Sequence, residues 1–131
     1  MANELVNIEL PKRIVNRVCA EATAIPLHTL MKLSGTNTVI ASSGDEDVYG
    51  GITIEEFSGG EGLTHVGCAI DGVWDVLTNG AVTLGALGNI QAANTVSAAV
   101  EADFPLGTVC CKFEEAAGGA AVTRARFGVL D

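Results

Sequence analysis

The sequence predicts an all-β fold: a compact antiparallel β-barrel or β-sandwich made from two similar halves, with an extended N-terminal arm and at most one short helix. Three observations carry that prediction. The 131 residues include 16 glycines but only 5% aromatics, which favours many tight turns around a core of Val, Ile, Leu and Ala. Short apolar runs alternate with clusters of Gly, Asn, Asp and Ser along most of the chain. The chain also resembles itself at a nearly constant spacing.

That spacing is 57 residues, read from Ala24 against Ala81. It matches Leu27 with Leu84, Leu30 with Leu87, Asn37-Thr38-Val39 with Asn94-Thr95-Val96, Ala41 with Ala98 and Gly50 with Gly107. Leu33/Ile90 and Ile52/Val109 are conservative pairs in the same series. After a one-residue slip to 56, Val66 meets Val122, Ala69 meets Ala125, Gly72-Val73 meets Gly128-Val129 and Asp75 meets Asp131. Residues 24–131 are therefore expected to form a single β domain of two repeats, 24–75 and 81–131, related by an approximate internal two-fold.

Within the first repeat, Leu27 to Leu33 and Thr38 to Ala41 read as a hairpin turning at Ser34 to Asn37. Tyr49 to Glu56 reads as a single strand and His65 to Val73 as a closing strand, with Ser43 to Asp47 and Ser58 to Gly62 as loops. In the second repeat the hairpin is Ala81 to Ile90 and Thr95 to Ala98, turning at Gln91 to Asn94. Gly107 to Phe113 and Ala121 to Val129 follow as strands around the loop Ala116 to Ala120. Val96 to Asp103 is the one place where a short helix is allowed. Residues 1–23 have no counterpart in the second repeat and read as an arm or an edge strand, with Leu5, Val6, Ile8 and Leu10 as candidate contacts to a neighbouring subunit.

A search for chemistry finds little. Neither histidine is placed as a base for a nucleophile, and His65 and Cys68 point to opposite faces of a strand, so no metal site is expected. Glu55/Glu56 and Glu114/Glu115 are split the same way by strand alternation and read as solvated strand ends. The run Asp45, Glu46, Asp47 lacks the spacing of a calcium loop, and the paired glycines are not followed by the Lys-Ser/Thr of a phosphate loop. Trp74, the one tryptophan, is a core residue by default and a candidate interface anchor otherwise. No catalytic residue and no cofactor are expected; the chain reads as a structural protein rather than an enzyme.

A net charge of −9 argues against nucleic acid as a partner, because phosphate binding needs clustered Lys and Arg. No window approaches the ~20 apolar residues that cross a bilayer, and Met1 to Leu10 lacks the pattern of a secretory signal, so synthesis in the cytoplasm and no membrane partner are expected. The four cysteines then read as reduced, buried residues rather than a disulfide framework.

The runs Leu30 to Leu33, Asn37 to Tyr49, Tyr49 to Glu55, His65 to Asp75, Gly80 to Ala99 and Ala102 to Ala116 together resemble the cement, or head-decoration, proteins of tailed-phage capsids. The adjacent Cys110-Cys111 departs from the usual look of that family. The resemblance implies a virion protein on the outer face of an icosahedral shell, with the major capsid protein and its own copies as partners, the latter in a homotrimer. A different class is carried beside it: a cytoplasmic β-barrel that binds a small molecule, or an enzyme subunit, with its site in a cleft between the halves.

Overall fold

The computed structural model describes residues 4–20, 24–44, 47–56, 58–60, 62–99 and 108–128. Eleven strands run through them: β1 (Val6–Glu9), β2 (Ile14–Val18), β3 (Leu30–Gly35), β4 (Thr38–Ala41), β5 (Tyr49–Thr53), β6 (His65–Ala69), β7 (Gly72–Thr78), β8 (Leu87–Ala92), β9 (Thr95–Ala98), β10 (Val109–Phe113) and β11 (Val122–Phe127). No helix occurs among the described residues. The expected helical stretch is β9 at its start, and its end lies outside the described residues.

The fold is all-β and is built from two similar halves, each of which closes into a barrel of its own. The first barrel runs β2-β4-β3-β5-β6, with β6 returning to β2. The second runs β7-β9-β8-β10-β11, with β11 returning to β7. In both, the first and third strands pair in parallel and every other pair is antiparallel. β1 lies outside this scheme, pairing antiparallel with β7 as an added strand of the second sheet.

The pairings locate the repeat more closely than the residue matches do. β3 and β4 correspond to β8 and β9 at an offset of 57, as expected. Tyr49 pairs with Lys32 where Val109 pairs with Asn89, so β5 and β10 correspond at 60, and Ile52 answers to Lys112 rather than Val109. His65 pairs with Val18 where Val122 pairs with Leu77, so β6 and β11 correspond at 57, and Val66 answers to Thr123 rather than Val122. The run His65 to Val73 is two strands, not one. Asp71-Gly72 breaks it, with Gly72 at φ +102, where a side chain would meet the Glu9 carbonyl oxygen at 3.0 Å. The strand after the break, β7, opens the second barrel, and its counterpart is β2, which lies within the segment that shows no sequence match. The barrels therefore start at β2 and β7, earlier than positions 24 and 81 where the similarity becomes visible.

Each hairpin turns through an asparagine in the left-handed region, Asn37 at φ +52 and Asn94 at φ +50, a conformation that Asn tolerates better than most residues. The interiors are filled by exchanged volumes. Where the first barrel has Met31 beside Gly51, the second has Gly88 beside Cys111, and Thr53 is replaced by Phe113. A Cβ on Gly88 would come within 2.9 Å of the Phe113 ring, so the glycine makes the room that the ring occupies. Met31 fills the first barrel less completely and lines an apolar cavity of about 40 Å³ with Cys19, Ile25 and Val39.

One apolar cluster joins the barrels: Leu30, Ile52 and Ala69 of the first pack with Trp74, Val76, Ile90 and Phe127 of the second. The Leu30 amide donates to Asn94 Oδ1 at 2.7 Å, and His28 sets its ring edge-on to Trp74 with 5.1 Å between ring centres. The contact is not reciprocal, contrary to the expected two-fold. Ile52 and Ala69 are fully buried, whereas their counterparts Lys112 and Arg126 are exposed and half-buried. Those charges leave the corresponding face of the second barrel polar.

Candidate functional site

Barrel closure removes strand edges. Among the described residues every strand pairs on both sides except β1, which follows from the order of the two sheets. The outer side of β1 is thus an open backbone edge, and a second stretch lies on β2, which meets β4 only at Val18 and Thr38.

The sequence builds β1 as a clamped strip. Leu5 is buried, and its amide donates to the His28 carbonyl at 3.1 Å, tying the strip to the first barrel. Asn7 Nδ2 donates to the Glu9 and Val73 carbonyls, at the irregularity between Asn7 and Glu9. Both Glu9 oxygens accept from the Arg126 guanidinium at 3.1 Å, and Arg126 Nε donates to Glu114 at 3.0 Å, so one arginine pins the end of β1 across β7 to β11. The Asp71 carboxylate accepts from the amides of Lys12 and Arg13 at 2.9 and 3.0 Å, fixing the link into β2.

Of the five candidate contact residues, the structure separates two from three. Leu5 and Trp74 are each 1% exposed and are spent on the core, so neither offers a surface. Trp74 lies on the inward face of β7 and also donates from Nε1 to the Asp71 carbonyl. Val6, Ile8 and Leu10 are 56%, 42% and 80% exposed, beside the open edge.

The remaining candidates are dispersed. His65 is exposed and bonds Thr64, Cys68 is buried, and no group of three metal-binding side chains occurs among the described residues. The four cysteines are free and buried; burial pushes the Cys68 thiol up to about 12 and raises that of Cys19, which leaves both unreactive. Asp45 and Glu46 lie outside the described residues. Burial alone would raise the Asp47 carboxyl, but amide hydrogen bonds from Ser43 and Gly44 and the nearby Lys32 ammonium hold it below its usual range.

Two acids do more than end a strand. Glu55 Oε1 accepts from the Gly67 amide at 2.7 Å, and Glu115 Oε1 accepts from the Arg124 amide at 2.9 Å. These are corresponding positions in the two barrels, and each carboxylate staples the turn onto the next strand. The repeated acid pair was the signal; its partner, a backbone amide about ten residues on, leaves no mark in composition. Leu30, Ile52, Ala69, Trp74 and Phe127 fill the apolar contact between the halves, and a polar cleft of about 250 Å³ beside the β1–β2 link is lined by Glu9, Lys12, Asp71 and Arg126. No protein-family model matches the sequence, and no curated protein matches it.

The Glu9 clamp gives a pH-dependent result. Hydrogen bonding from Arg126, reinforced by its charge, holds the Glu9 carboxyl below its ordinary value. The clamp is therefore intact from neutral pH through the ordinary carboxylate range and is lost as pH falls through the lowered value. In an acid titration followed by amide NMR, the signals of β1 shift below the usual glutamate range, and Arg126→Gln moves that transition up toward it. The exposed site is screened, so the effect is on β1 and small for the whole fold.

Proposed function

We propose that the chain is a decoration protein of an icosahedral phage capsid, placed on the outer face of the shell and working by contact area rather than by chemistry. What supports this reading most is the combination of two closed barrels braced into one body with an added strand, β1, that is paired on one side only and flanked by exposed Val6, Ile8 and Leu10. A closed body of this kind offers a partner little backbone except at its open edges, and at β1 a strand of the major capsid protein can add. Neighbouring copies, in a trimer, multiply the contact, so that modest interfaces repeated over a shell resist outward pressure. The excess of acid suits a face turned away from packed DNA. The small-molecule alternative draws less support: the apolar contact between the halves is filled, the apolar cavity of about 40 Å³ is too small for a metabolite, and the polar cleft of about 250 Å³ is open to solvent, with its Glu9 and Arg126 already paired to each other.

The test is to add purified protein to capsids that lack it. The reading expects binding that saturates at a fixed ratio to capsid subunits and raises the temperature at which the shells release DNA. Absence of binding, or binding without a fixed ratio, contradicts it.

A further inference from the structure

We infer that residues Leu10 to Ile14, the lead-in to β2 and its first residue, form a basic, apolar docking strip whose occupant is the acidic surface of a second copy of this chain. The capsid reading places copies of the chain in a trimer; this inference locates a contact between copies and is tested without a shell.

The strip stands out by charge. It holds two of the chain's seven cations, Lys12 and Arg13, and no acid, so it carries +2 on a chain of −9. The cations elsewhere are mostly spent within the fold: Lys32 pairs with Asp47, Arg124 with Asp75 and Arg126 with Glu9 and Glu114. Arg17, on the barrel-facing side of β2 with Val15, is spent on the Gly50 carbonyl at 3.2 Å and Asn37 Oδ1 at 3.0 Å. Lys12 and Arg13 make no ion pair among the described residues. The Asp71 carboxylate is engaged by the backbone amides of Lys12 and Arg13, and Glu9 by Arg126, so the nearby acids already have partners.

The strip stands out by exposure too. Lys12 and Arg13 are exposed, and between and beside them lie Leu10, 80% exposed, and Ile14, 54% exposed. Exposed aliphatics next to unpaired cations describe a surface that gains by meeting apolar and acidic groups together. The rest of this chain is such a partner, carrying all 16 acids against five cations. Two strips repel each other, which excludes a symmetric strip-to-strip contact. The association is therefore head to tail, closing into a ring or extending as a chain. At physiological ionic strength the repulsion between whole acidic bodies is screened beyond about 8 Å, while contact pairs survive.

The experiment uses purified protein alone. Sedimentation over a concentration series at physiological salt measures association, and a zero-length carbodiimide cross-link between 14N- and 15N-labelled copies identifies lysine-carboxylate neighbours. The expected results are cross-links from Lys12 of one copy to carboxylates of another, and association weakened about tenfold by K12Q/R13Q and further by K12E/R13E. The neutral variant keeps the amide bonds to Asp71, so an unchanged melting temperature separates lost docking from lost folding. A protein that stays monomeric, variants that associate like the parent, or cross-links confined to Lys112 overturn the inference. No shell is present in these measurements, so their outcome is independent of capsid binding.

Discussion

Gly88→Met destabilises the protein by about 3 kcal/mol, because it drives a side chain into space already taken by Phe113 and Cys111. Phe113→Thr is at least as costly, about 3–5 kcal/mol, since it empties that space. The two changes together transplant into the second barrel the pair that the first barrel carries at the same positions, Met31 and Thr53. The double variant therefore loses less than the summed singles, with about 1–3 kcal/mol of coupling between the sites. Urea denaturation of the four proteins measures this directly. Strict additivity would mean that the two positions do not share one volume.

Trp74→Ala costs about 3–5 kcal/mol, and its effect spreads to both barrels. The ring lies inside the second barrel, meets His28 of the first edge-on, and donates to the Asp71 carbonyl. Removing it leaves a cavity at the joint and an acceptor without its donor. Hydrogen exchange is expected to quicken in β3 and β5 as well as in β7 to β11, whereas Trp74→Phe preserves most of the packing and loses less. Faster exchange confined to the second barrel would show that the halves unfold separately.

The sequence makes some of this legible and hides the rest for identifiable reasons. Both hairpins are visible because Asn37 and Asn94 sit in turn clusters between aliphatic runs, and the repeat is visible because those hairpins share a register. The break at Asp71-Gly72 is obscured because β6 and β7 are buried on both faces over most of their length, which erases the alternation that marks a strand's limits. Once that break is missed, Trp74 is assigned to the end of the first half instead of the start of the second, and β2 loses its counterpart. The three-residue difference between the β3-β4 and β5 offsets falls in a loop, where Gly and Val matches can be made at either register. Leu5 and Val6 are indistinguishable in composition, and only pairing with β7 decides which of them faces the core. The clamp of Glu9 on Arg126 joins residues 117 apart and has no local signature.

The capsid reading places the working surface at the open edge of β1, and one measurement addresses that most directly. Val6→Asp with Ile8→Asp puts charge on two side chains that point to solvent, so the variant is expected to melt with the parent. Added to capsids lacking the protein, the parent is expected to saturate a fixed set of positions and the variant to leave them vacant. Equal occupancy by both proteins, or a parent that finds no position on the shell, contradicts the account.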